Sequence, residues 1–98
     1  MGYICFVIAT IQHKGLRQLW EKDDASKVQA AHVPKIRRIL TLLDSAESSL
    51  DMNFPGSGLH PLKGDLKGYW SVTVSGNWRI IYQFKDGNAY LVDYTDYH

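Results

Sequence analysis

The chain has 98 residues, which is room for one domain (1–98) built on one hydrophobic core. A net charge of +1 argues against a protein held on DNA by bulk charge alone. A single cysteine, Cys5, leaves no internal disulfide to form and fits a reducing, cytoplasmic setting.

Met1–Ile11 is apolar but has no basic start and no small-residue cleavage pattern, and it is too short to cross a bilayer. Tyr3–Gln12, rich in Ile, Val, Phe and Thr, reads as a strand, with a shortened signal anchor as the alternative. On the strand reading Cys5 is a core residue and no membrane partner is expected. His13–Gly15 breaks the run. Leu16, Leu19 and Trp20 then recur at helical spacing and predict a short helix over 16–22. Asp23–Lys27 is a polar turn. Val33, Ile36, Ile39, Leu40 and Leu43 predict a longer helix over 31–46, with Pro34 in its first turn, where a missing N–H costs little. Ser48–Gly58, with Pro55, Gly56 and Gly58, is a loop, and a short extra strand is expected over 59–62.

From residue 70 the period becomes two. Trp70, Val72 and Val74 alternate with Ser71 and Thr73, and Trp78, Ile80, Tyr82 and Phe84 with Arg79, Ile81 and Gln83. Ala89–Asp93 is a further run, and "SGN" (75–77) and "DG" (86–87) are hairpin turns. The order β-α-α-β-β-β predicts an α+β domain: an antiparallel β-sheet with two N-terminal helices packed on one face. The Trp70/Val72/Ile80/Tyr82 face meets the helices. The face carrying Ser71, Thr73, Asn77, Arg79 and Gln83, with Ile81 as its odd member, is polar enough to meet water or a ligand.

Charge is uneven. Residues 1–43 hold seven Lys/Arg against three Asp/Glu, and residues 44–98 hold four against seven. A basic first half is either a solvated helix surface or a phosphate-facing surface for a large RNA. There is no P-loop, no G-x-G-x-x-G, no C-x-x-C pair and no H-E-x-x-H, so no nucleotide cofactor or structural zinc is expected. His60, Asp96 and His98 match no standard metal-ligand spacing, and no metal is expected.

What remains is His60-Pro61-Leu62-Lys63-Gly64-Asp65, then Arg79, then Asp96-Tyr97-His98. These types suit cleavage of RNA by its own 2′-hydroxyl, which needs a base, an acid and a cation on the phosphorane. Histidine serves as base or acid. Arginine offers a planar fork to phosphate oxygens, and lysine a point charge. Each also has a plainer reading: His60 as a turn residue, Lys63 as a solvated lysine, Arg79 paired across the sheet with Asp93, His98 as a loose end.

"LHPLKGDLKGYWSVTVSGNWRI" (59–80), the terminal "DYTDYH" and "HKGL" at 13–16 resemble the plasmid-maintenance killer toxins, the HigB type within the RelE superfamily. The resemblance runs over about residues 7–98. It implies a RelE-like microbial ribonuclease fold. It implies a metal-independent endoribonuclease that enters the A site of the small ribosomal subunit and cuts the messenger RNA being read. A HigA-type helix-turn-helix antitoxin is the implied partner, with DNA met only indirectly through it. On the matching motifs, His60 acts in catalysis with Lys63, Arg79 holds the scissile phosphate, and Asp96, Tyr97 and His98 complete the site. The resemblance also makes Lys14, Arg17, Lys22, Lys35, Arg37 and Arg38 candidates to lie against ribosomal RNA, and Tyr97 and Tyr94 candidates to stack on an unpaired base. Such proteins begin near the counterpart of Ile8–Ile11, so Met1–Val7 is an apolar N-terminal extension. Two rival readings are an RNA- or ribosome-binding inhibitor that does not cut, and a corepressor that acts only with a partner.

Overall fold

In a computed structural model of the chain, residues 8–46, 49–85 and 87–96 are described. Cys5 and the rest of the expected N-terminal extension, together with Tyr97 and His98, lie outside them.

Helix α1 spans Lys14–Lys22 and begins earlier than its apolar pattern suggests. The cause is His13. Its Nδ1 accepts the Leu16 N–H at 3.0 Å and so caps the first turn. A Cβ on Gly15 would stand 2.7 Å from the Lys27 Cβ, so only glycine lets the chain pass this close there. A single 3₁₀ turn, Ala30–His32, leads into α2, Val33–Asp44, and Pro34 falls in the first turn of α2 as expected. The loop after α2 holds another 3₁₀ turn, Ser49–Met52, and Met52 is fully buried.

Four strands follow: β1 (His60–Pro61), β2 (Tyr69–Ser75), β3 (Trp78–Lys85) and β4 (Asn88–Asp96). They form one antiparallel sheet in the order β1-β2-β3-β4. Both hairpins close where the turn residues predict, at Ser75↔Trp78 and Lys85↔Asn88. Among the described residues of the expected first strand (8–12) there are two isolated bridges, Ile8↔Ala89 and Ile11↔Val92, and these run parallel to β4. The Ala9 and Gln12 N–H groups donate to the Ala89 and Val92 carbonyls, each at 2.7 Å. β4 bulges between them. The register slips by one residue opposite Tyr82, and Leu91 takes φ 53°.

Both helices pack on one face of the sheet, as expected of an α+β domain. Leu16 and Leu19 of α1 and Ile36, Ile39, Leu40 and Leu43 of α2 share one core with Val72, Ile80, Tyr82 and Val92. Each Ile or Leu fully buried in it contributes roughly 1.5–3 kcal/mol. The other face is less open than its polar pattern suggests. Ser71 is fully buried, and Ile81 and Leu62 are buried outside the main core. Among the described residues no helix is long and apolar enough to cross a membrane.

Candidate active site

Arg79 is the second residue of β3, in register with Thr73 of β2 on one side and Thr95 of β4 on the other. Strand alternation therefore puts these three side chains in one row, on the face away from the helices. Asp93 is in register with Ile81 instead, and its carboxylate accepts the Tyr94 N–H at 2.9 Å. The cross-strand Arg79–Asp93 pairing is thus replaced by a different anchor. Arg79 Nη1 donates to the Gly76 carbonyl at 2.6 Å and to the Trp78 carbonyl at 3.3 Å. These bonds tie one arm of the guanidinium to the β2–β3 turn. The Nε–H is buried and meets no acceptor among the described residues. Nε is too enclosed to meet an outside anion, so the remaining edge of this half-buried, planar guanidinium is the one that could receive it.

His60 pairs with Ser71 and lies on the same face as Arg79. The two are separated by two strand spacings and one two-residue step, about 10 Å across the sheet and about 7 Å along it. A phosphodiester fits between side chains set out in this way. His60 is exposed, and its Nδ1 lies 2.9 Å from the Gly58 carbonyl oxygen. A carbonyl can only accept, so Nδ1 carries a proton, and in the neutral form of the ring Nε2 is the acceptor. Gly58 makes this possible. Its φ is 57°, and a Cβ there would come 2.9 Å from Thr73 Oγ1. Neither the Gly58 carbonyl nor Thr95 stands out in the sequence. The signal for Thr95 is the period of two that carries β4 past Asp93.

Lys63 is exposed just after β1, at the mouth of the 3₁₀ turn Gly64–Leu66. Asp96 ends β4 in register with Trp78, so the alternation sets it at the rim on the helix side and not in the Arg79 row. Tyr97 and His98 lie outside the described residues.

Tyr94 is corrected outright. It is buried against the helices, its ring stacks on Trp78 at 4.6 Å, and its Oη lies 2.6 Å from His32 Nδ1. It serves the core and is not open to a base. Burial pushes its hydroxyl pKa up, partly offset by a hydrogen bond from the Gln29 backbone. Tyr82, deep in the same layer, is pushed up more strongly by burial alone, and its hydroxyl has no partner among the described residues.

The basic candidates all lie in the helical layer, across the sheet from Arg79. Lys14, Arg17 and Lys22 are exposed on α1, and Arg17 also donates to the Ile11 carbonyl at 3.4 Å. Arg37 forms a salt bridge with Asp23 that ties α2 to the end of α1. Arg38 lies 5.7 Å over the Phe54 ring and, with Lys35, lines a hollow of 390 Å³.

The chain that carries this tethered arginine and hydrogen-bonded histidine on one sheet face matches, over residues 9–98, a family model described as the RelE-like toxin of the type II toxin–antitoxin system HigB. The chain belongs to this HigB-like toxin family. It is 47% identical over 92 residues to the endoribonuclease HigB of Proteus vulgaris, covering 94% of this chain and all of that protein. It is 34% identical over 87 residues to toxin HigB-1 of Vibrio cholerae serotype O1, covering 87% of this chain and 90% of that protein. The protein is therefore a HigB-like toxin of a type II system, and membership of such a system implies an antitoxin partner.

Proposed function

We propose that this toxin is an endoribonuclease that cuts messenger RNA in the A site of the small ribosomal subunit. The observation that supports the reading is the single sheet face shared by His60 and Arg79, with His60 exposed and the guanidinium tethered by one arm to the β2–β3 turn. The 2′-oxygen loses its proton to a base and attacks the adjacent phosphorus. The phosphorus–oxygen bond to the 5′-oxygen breaks, and that oxygen leaves with a proton from an acid. A 2′,3′-cyclic phosphate and a 5′-hydroxyl end result. His60 and His98 are the acid and base candidates, with Asp96, at the rim outside the Arg79 row, as an orienting group and Tyr97 as a stacking ring. Arg79 and Lys63 stabilise the charge on the phosphorane. Lys14, Arg17, Lys22, Lys35, Arg37 and Arg38 lie on a separate surface, suited to ribosomal RNA around the A site while the sheet face meets the message. A HigA-type helix-turn-helix antitoxin is the partner in the cytoplasm.

Primer extension on messenger RNA from cells expressing the protein tests this. New 5′ ends that require translating ribosomes are expected, and they disappear in Arg79→Ala and on deletion of His98. Growth arrest with no new ends would replace cutting by simple obstruction of the ribosome.

A further inference from the structure

The same sheet face carries a second set of groups that the cleavage chemistry leaves unused. Gln83 lies four residues beyond Arg79 on β3, about 13 Å along the strand, and is in register with Tyr90 of β4. Gln83 and Tyr90, with Lys85, Leu91 and Thr10, line a hollow of 500 Å³. One cation and no carboxylate line it. An amide can read the edge of a base, a tyrosine ring can stack on its face, and a lysine can meet its phosphate. Asp93, which lies between this row and Arg79, has its carboxylate turned to the Tyr94 N–H.

Leu91 is the second, independent observation. It is the exposed large hydrophobic side chain among the described residues, and it sits at φ 53°. The bulge itself is explained by hydrogen bonds: the Leu91 N–H donates to Thr10 Oγ1 at 2.8 Å and the Val92 N–H to the Thr10 carbonyl at 3.1 Å. Leu91 at this bulge is left-handed, a conformation in which Gly or Asn costs less than Leu. Holding a leucine there, against strain and against water, needs a further reason. Presenting an apolar wall to the hollow supplies one.

We propose that Gln83, Tyr90, Lys85 and Leu91 form a base-binding subsite for an unpaired nucleotide of the message, a few positions from the bond held by Arg79. The inference rests on the proposed RNA cleavage. It adds a contact that selects or grips RNA away from the reacting atoms.

The test uses the full chain on ribosomes programmed with messages in which the cleaved nucleotide lacks its 2′-hydroxyl and one neighbour at a time is thiouridine. Irradiation of wild-type complexes is expected to join a nucleotide outside the cleaved bond to Tyr90 or Lys85. Gln83→Ala and Leu91→Asn are expected to weaken RNA binding roughly 5- to 150-fold, the range for one lost base contact, and to change the distribution of cleaved sequences. Their melting temperatures stay at or above wild type. Crosslinks confined to the two nucleotides of the cleaved bond overturn the subsite. Gln83→Ala and Leu91→Asn cutting at the wild-type rate and positions overturn it too, while Arg79→Ala is dead and the cleavage reading stands. Loss of antitoxin binding with unchanged cutting marks a protein interface and overturns it equally. If the wild type cuts no message on the ribosome, both proposals fall together.

Discussion

The Tyr94 hydroxyl lies 2.6 Å from His32 Nδ1, so the last residues of β4 are pinned to the start of α2. Trp78, the residue before Arg79, completes the contact by stacking on Tyr94. The chain segments that carry Arg79 and Thr95 are thus held from behind by a buried polar pair and an aromatic stack. Tyr94→Phe is expected to cost about 1–2 kcal/mol by leaving His32 Nδ1 without its partner. His32→Leu leaves the phenol with the Gln29 backbone alone and is expected to cost a similar amount. Urea denaturation of both single variants and the double variant checks this. Strong coupling between the two substitutions is expected, and additive effects would show that the pair contributes nothing together.

Arg79→Ala is expected to lower cleavage about 10²–10³-fold, the usual effect of removing one donor from a developing oxyanion. Stability should hardly move, because the substitution also removes a buried Nε–H that meets no acceptor among the described residues. Arg79→Lys is expected to recover little of the rate. A lysine ammonium cannot bond the turn carbonyl and present a second planar N–H at once. Single-turnover cleavage on programmed ribosomes, alongside thermal melts, separates the two effects.

How much of this was legible beforehand follows from what each signal measures. Helical and strand periods report burial, so α2, β2 and β3 stand out in Ile36–Leu43 and Trp70–Phe84. The same period reads Tyr94 as one more aromatic of a polar tail. Its place in the core depends on β4 running on to Asp96, and nothing in "YTDYH" shows that His32 waits across the interface. His13 was visible only as a strand breaker, because a cap is a matter of side-chain direction and not of composition. The parallel pairing of Ile8 and Ile11 along β4 is a long-range choice that a local pattern cannot carry. Alternation puts Arg79 on the polar face, but the sequence sets His60 on no face, and its place beside Ser71 comes from the pairing of β1 with β2. The Gly58 carbonyl that orients His60 could not be foreseen, since backbone groups leave no mark on residue type.

Gly58→Ala tests that backbone contact. The left-handed conformation costs a non-glycine residue about 1–2 kcal/mol. The new Cβ would also press on Thr73 Oγ1 at 2.9 Å. A fall of roughly 4–8 °C in melting temperature is expected for each kcal/mol in a domain of this size. Cleavage should fall further than the folded fraction does, because a backbone shift at residue 58 moves the carbonyl that bonds the His60 ring. Activity that merely follows the folded fraction would show that the Gly58–His60 bond plays no part in the chemistry.

Alkaline titration gives a prediction with a definite sign. Burial raises the pKa values of Tyr82 and Tyr94 above that of tyrosine in an unfolded chain, about 10. The native state therefore keeps protons that the unfolded state releases. Stability from these two groups is complete below about pH 10 and is lost as the pH climbs from there toward their folded values. Denaturant midpoints measured from pH 8 to 11 should fall steeply above 10. Tyr82→Phe is expected to flatten that fall, since it removes the more strongly shifted group. It should also raise stability at pH 8 by about 1 kcal/mol, because the buried hydroxyl has no described partner to lose. A variant that is less stable at pH 8 and falls just as steeply would mean that the Tyr82 hydroxyl is satisfied in solution.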